Sequence, residues 1–160
     1  MAVFLKKETT LIAIFPRLIL IGILCLLLYP YNNQIFFVYA LFIYLLIHYI
    51  AKYSLIPGST FTGVKLMKED KYEEAMPFIQ RDIDYFTEKA WIDKFRFVLM
   101  ISTSSRSYRE ICLCNLAWCL LQTGKVRESK ELYERILVQY PENPVAKTQL
   151  NTINMITKAN

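Results

Sequence analysis

Histidine occurs once in the 160 residues, at position 48, and glycine only four times. With a single imidazole, histidine-based acid–base chemistry and most zinc sites lose their usual ligand or proton carrier. With so little glycine there is no G-x-G-x-x-G or P-loop to cradle a phosphate, and H-E-x-x-H is missing as well. The four cysteines, Cys25, Cys112, Cys114 and Cys119, form no C-x-x-C pair. In a reducing compartment they read as small apolar side chains rather than redox or metal groups. Glu73–Glu74, Asp82/Asp84 and Glu128/Glu131 have Lys or Arg at nearby positions and read as solvated helix faces. The sequence therefore gives no reason to expect an enzyme, a metal site or a cofactor.

Acidic residues are nearly absent from the first third, where Glu8 is the only one before Glu69. What fills that third is apolar: 54% of the chain is hydrophobic and mean hydropathy is +0.26. The excess is concentrated in two runs, about residues 9–29 and 35–56, each of the ~20-residue length that a helix needs to cross a bilayer. Arg17 is the objection to the first run. Thirteen Leu, Ile and Phe residues between Leu11 and Leu28 favour insertion by about 4 to 8 kcal/mol, against about 3 kcal/mol for a central arginine. Insertion wins. Pro16 sits in the first turns, where a missing amide matters least. No small-x-small site follows the run, so cleavage as a signal peptide is not expected.

The link Pro30-Tyr31-Asn32-Asn33-Gln34 is short and uncharged, so the two spans are expected to form an antiparallel hairpin. Lys6 and Lys7 precede the first span and Lys52, Lys65 and Lys68 follow the second, whereas the link has no basic residue. The positive-inside rule then puts both termini in the cytoplasm, with the cell membrane as the expected location. Phe36, Phe37, Tyr39, Tyr49 and Tyr53 near the ends of the second span read as interfacial anchors. His48, with no acidic partner in either span, reads as a packed or interfacial side chain. The spans have no polar stripe or paired charges, which disfavours a transporter or channel.

After residue 58 the chain carries 15 basic and 13 acidic side chains, close to balance. No basic block with interleaved aromatics stands out, so a nucleic-acid partner is not expected. Ile56-Pro57-Gly58-Ser59 breaks the second span and forms a hinge. A helix is predicted from about Thr60 to Asp70. Asp70-Lys71-Tyr72-Glu73 has the form of a capping box and opens another helix, with Tyr72, Ala75, Ile79 and Ile83 on its inner face. Pro77 inside that helix predicts a bend.

Ser107-Tyr108-Arg109-Glu110 is a second capping box. Leu113, Leu116, Ala117 and Leu120 follow at i, i+3, i+4 and i+7, the spacing of one helical face. Gly124 ends this helix, and another runs from Lys125 to about Tyr140, where Pro141 stops it. Its inner side holds Val126, Ser129, Tyr133, Ile136, Leu137 and Tyr140. Asn143-Pro144 starts a last helix, with asparagine as N-cap and proline at N1.

Laid from Glu110 to Asn143, this pattern resembles a tetratricopeptide repeat, a helix-turn-helix unit of ~34 residues. Leu116 and Ala117 fall at the L-G pair, Gly124 at the turn, Ser129 at the small position, Tyr133 at the aromatic, Ile136 at the next small site and Pro141 at the closing proline. Leu113, Leu120 and Ser129 depart from the consensus Trp, Tyr and Ala but can still pack. The first hairpin resembles the same family more weakly, through Gly63, Leu66, Tyr72, Ala75 and Ile79, with Pro77 and Asp82 as departures.

The expected architecture is all-α: a transmembrane hairpin over residues 1–58, then a cytoplasmic helical domain over 59–160 arranged as an α-solenoid. That domain divides into a hairpin at 59–89, an insert at 90–107, a repeat at 108–143 and a capping helix at 144–157. The insert's Trp91, Ile92, Phe95 and Phe97–Ile101 either extend the previous helix and pack across both hairpins, or Trp91, Phe95 and Phe97 form an exposed ligand-binding or membrane-touching patch. What the resemblance implies is a groove for a protein or peptide partner, lined by Phe61, Val64, Lys68, Ile111, Asn115, Trp118 and Gln122. Asn115 falls where carboxylate-clamp repeats carry an asparagine, although their lysine and arginine partners are not evident. Two repeats are fewer than the ~3 usually needed for stability. Self-association or docking as a structural subunit of a larger membrane complex is therefore the alternative to a peptide-binding scaffold.

Overall fold

The computed structural model describes residues 14–30, 35–96 and 106–159, and among them helices are joined by turns with no strand. The chain is all-α. Its helices are α1 (Ile14–Leu28), α2 (Phe36–Leu55), α3 (Gly58–Lys68), α4 (Tyr72–Glu88), α5 (Ala90–Lys94), α6 (Tyr108–Gln122), α7 (Val126–Gln139) and α8 (Pro144–Ala159). They fall into two compact units. One combines α1, α2 and α5; the other combines α3, α4, α6, α7 and α8. Residues 97–105 and the link at 31–34 lie outside the described residues, as do the apolar stretch Phe97–Ile101 and the flanking Lys6 and Lys7.

In the first unit α1 packs against α2. The Tyr29 ring at the end of α1 meets Phe36 at the start of α2 edge to face, 5.6 Å apart, which makes the pair antiparallel. Ala40, Tyr44 and His48, one turn apart, are the buried positions of α2. Around that seam Phe37, Phe42, Leu45, Leu46 and Ile50 stay exposed. An aqueous helix would hide such side chains, because each costs about 1.5–3 kcal/mol to leave in water. By length and composition α2, with 20 residues, can cross a membrane. The apolar part of α1, Arg17–Leu28, is shorter than that requirement.

In the second unit each helix packs on the next in chain order: α3 on α4, α4 on α6, α6 on α7, α7 on α8. Two helical hairpins in this series are closed by the same backbone device. At the end of α6, Lys125 N–H donates to Leu120 O at 2.9 Å and Gly124 N–H to Leu121 O at 3.2 Å, with Gly124 at φ +78°. This is a Schellman turn, whose left-handed residue suits glycine. At the end of α3, Lys71 N–H donates to Leu66 O at 3.0 Å and Asp70 N–H to Met67 O at 3.3 Å, with Asp70 at φ +59°. The two turns match bond for bond at positions 70 and 124, an offset of 54 residues.

That geometry corrects the first capping box. An N-cap needs extended backbone, and Asp70 is left-handed; its carboxylate instead accepts from the Tyr72 hydroxyl at 2.5 Å. The second capping box forms as expected on one side, since Ser107 Oγ accepts the Glu110 N–H at 3.0 Å. α4 runs through the exposed Pro77 to Glu88, then breaks at Lys89 (φ −104°, ψ 48°) before α5, so it does not continue unbroken into the insert.

Small residues let the paired helices close. Ser129 Oγ donates to Ala117 O at 2.7 Å, fully buried between α7 and α6. At the equivalent place between α3 and α4, a Cβ on Gly63 would stand 3.3 Å from Ile79 Cγ1. Phe86 stacks on Tyr108 at 5.1 Å and joins α4 to α6. Tyr133, Ile136, Ala146 and Ile153 fill the core under α8.

Candidate functional site

The seven sequence-predicted groove residues belong to α3 and α6, in one unit. Phe61, Val64 and Lys68 recur at i, i+3 and i+7; Asn115, Trp118 and Gln122 occupy the positions 54 residues later, and Ile111 lies one turn before them. The two sets therefore take the same positions relative to the two matching turns.

Their accessibility differs. Phe61 is 47% exposed, Val64 is half-buried, and Lys68 and Gln122 are exposed. Ile111, Asn115 and Trp118 are buried, at 9%, 6% and 8%. They do not form an open groove floor. Asn115 Oδ1 is nonetheless buried with no hydrogen-bond partner among the described residues, whereas the buried Trp118 Nε1 lies against the Tyr72 hydroxyl. An unpartnered atom of that kind costs about 1–3 kcal/mol unless something satisfies it.

Beside this face lies a cleft of about 410 Å³, lined by Asp70, Lys71, Tyr72, Glu73, Glu74, Gln122 and Thr123. The two Schellman turns form it, and Gln122 is its one residue expected from the sequence. Its wall carries three carboxylates against one ammonium. The hydrogen bond to Asp70, with burial behind it, raises the Tyr72 phenol above its ordinary pKa and keeps it a donor. The sequence signal was the run Asp70–Glu74 itself, which reads as an exposed helix start until the second turn is placed beside it.

A buried polar cluster lies one helix away. Asn143 Nδ2 donates to Glu110 Oε1 at 2.7 Å and to Cys114 Sγ at 3.3 Å, and Asn143 Oδ1 accepts the Ala146 N–H at 2.8 Å. A cysteine, an amide and a carboxylate together suggest a nucleophile. The electrostatics argue otherwise: burial, above all, pushes the Cys114 thiol up to about 11 and Cys119 to about 12. A thiolate is the reactive form, so this cluster holds helices together. Among the described residues no group of three or more His, Cys, Asp or Glu is placed to hold a metal ion.

On the other side of α4, the buried Asp82 accepts a hydrogen bond from Ser59 Oγ in the first turn of α3. Burial raises its pKa and the hydroxyls of Ser59 and Thr60 partly offset the rise. A carboxylate at this helix start also faces the positive end of the α3 dipole. Asp82, read from the sequence as a departure from the expected repeat, thus pins the start of α3, just after the apolar unit ends at Pro57. No protein-family model, characterised protein or solved structure matches this chain.

Proposed function

We propose that this protein is a membrane-anchored scaffold or adaptor: α1 and α2 form a two-span hairpin with both termini in the cytoplasm, and the remaining helices form a tetratricopeptide-like module that binds a protein or peptide partner there. The observation that carries the module is the bond-for-bond identity of the turns at Asp70 and Gly124, with small residues at matching closures. Equivalent hairpins stacked in chain order are the construction of helical repeats, whose first helices present a binding face. The apolar exposure of α2 supports the anchor, and a lipid environment removes its cost.

Partner binding centres on the exposed edge of that face, Phe61, Lys68 and Gln122, continuing into the acidic cleft. The unsatisfied Asn115 Oδ1 would engage a peptide backbone or terminus once the edge opens. Photo-crosslinkers at positions 61, 68 and 122 of the full chain in native membranes should capture a common partner that a probe at Val138 does not. Identical capture from all four positions would reject the binding face. Impermeant maleimides should label a cysteine placed in the 31–34 link from outside the cell, and Glu142→Cys only after permeabilisation. The reverse pattern would reject the orientation.

A second reading, a structural subunit without a peptide groove, draws on the burial of Ile111, Asn115 and Trp118. In that case the crosslinkers capture only copies of this chain or a constant membrane partner.

A further inference from the structure

The short helix α5 interrupts the repeat series in sequence but groups with the apolar pair in space. Its single turn is two-sided. Ile92 is fully buried, whereas Trp91 and Phe95, at i and i+4, are 48% and 49% exposed on the other side. Phe95 N–H donates to Trp91 O at 3.0 Å, which fixes the two rings on one face. Lys94 Nζ lies 5.9 Å from the centre of the Phe95 ring, and Lys89 and Lys94 are exposed. Among residues 89–96 the only carboxylate is Asp93, beside two lysines and Arg96, whose guanidinium donates to Asp93 O at 2.7 Å.

Two large rings held half in water on one helical turn are costly, since aromatic side chains carry 150–250 Å² of burial each. Their amphipathic chemistry fits the bilayer headgroup layer, where tryptophan concentrates, and flanking lysines fit anionic lipid phosphates. A protein groove is the weaker fit, because α5 belongs to the unit whose other helices are themselves lipid-like on their surfaces.

Resting on the anchor reading above, we infer that α5 is a bilayer-contact surface, with Trp91 and Phe95 set into the headgroup layer and Lys94 on anionic lipid phosphates. The helix α5 then acts as a foot on the membrane surface. This contact is additional to the spans.

The test uses the full chain in mixed phosphatidylcholine–phosphatidylglycerol vesicles, with Trp91 emission taken as the difference between wild type and Trp91→Phe. Brominated lipids should remove about half of that emission, as expected for an indole at the interface, while aqueous acrylamide reaches it poorly. Lys94→Glu, or vesicles without phosphatidylglycerol, should weaken the lipid quenching. Trp91 that is quenched by acrylamide and untouched by brominated lipid, in a chain that floats with the vesicles, overturns the inference alone. Trp91 shielded from both quenchers also overturns it, since protein then covers the face. A chain that does not float with the vesicles overturns the anchor reading and the inference together.

Discussion

The side chain of Asn143 reaches Glu110 across 33 residues of sequence, donating Nδ2–H to Oε1 at 2.7 Å while its own oxygen caps α8. One buried amide thus ends one hairpin, begins the last helix and satisfies a carboxylate at the start of α6. Asn143→Ala removes the cap, worth about 1 kcal/mol, and leaves the buried Glu110 carboxyl without this donor, a loss of about 1–3 kcal/mol. Asn143→Asp keeps the cap but sets a second carboxylate against Glu110. Thermal melts of the full chain in mild detergent should rank wild type above both variants, with Asn143→Asp losing more than its retained cap would allow. An Asn143→Asp variant as stable as wild type would mean that the contact with Glu110 contributes nothing.

Asp82 supplies a pH signature of opposite habit to most carboxylates. Burial raises its folded-state pKa above the ordinary 3.8, so the folded protein holds this proton more tightly than the unfolded chain. The resulting stabilisation is full below pH 3.8 and is lost as pH rises through the folded value. Asp82→Asn keeps the partner for Ser59 without a charge to desolvate. Its melting temperature at neutral pH should match or exceed that of wild type, and the difference should shrink on acidification. A variant that is markedly less stable at pH 7 would mean that the charged form, held by Ser59, Thr60 and the helix dipole, outweighs its desolvation.

How much of this was legible in the sequence depends on how far each cause reaches along the chain. The Ser107 cap, the Gly124 stop and the Asn143-Pro144 start are local, and each helix boundary falls within a residue or two of its signal. The Asp70 turn was misread because a capping box and a left-handed helix end draw on the same residue types. Only the backbone hydrogen bonds to Leu66 and Met67 distinguish them. The partner of Asp82 lies 23 residues away and that of Asn143 33 away, distances at which no periodicity carries information. The burial of Ile111, Asn115 and Trp118 was equally hidden. Helical spacing shows that residues share a face and cannot show whether that face is covered.

The buried thiols give a third prediction. Cys114 and Cys119 sit in the core with pKa values pushed to about 11 and about 12 by desolvation, from an ordinary 9.0. Both should resist thiol reagents at pH 8 in the folded protein and react at ordinary rates after denaturation, with native labelling limited by opening of the fold. Because the folded state keeps these protons, the stability they contribute is full below pH 9 and disappears as pH rises towards 11–12. Fast native labelling of Cys119, followed by mass spectrometry of the modified peptide, would place it at an accessible surface and undo the packing of α6 on α7.

The paired turns allow the repeat relationship itself to be tested by exchanging residues between equivalent positions. Gly124 holds φ +78° with open space around its missing Cβ, so alanine there meets no neighbour and suffers only from backbone conformation. Gly124→Ala should cost about 1–2 kcal/mol, the penalty for an ordinary residue in the left-handed region. Asp70 already bears part of that penalty at φ +59°, and aspartate tolerates the region better than alanine because its short polar side chain can bond locally, here to Tyr72. Asp70→Gly should therefore be neutral or slightly stabilising, while Asp70→Ala should lose both the local bond and the tolerance and resemble Gly124→Ala. If the two turns are equivalent units of one repeat, the order of stability at each position is glycine, then aspartate, then alanine. Hydrogen exchange at Lys71 and Lys125, whose amides close the two turns, reads each site separately. An opposite order at the two positions would show that the matching hydrogen bonds arise from different local balances, and the case for equivalent hairpins would fail with it.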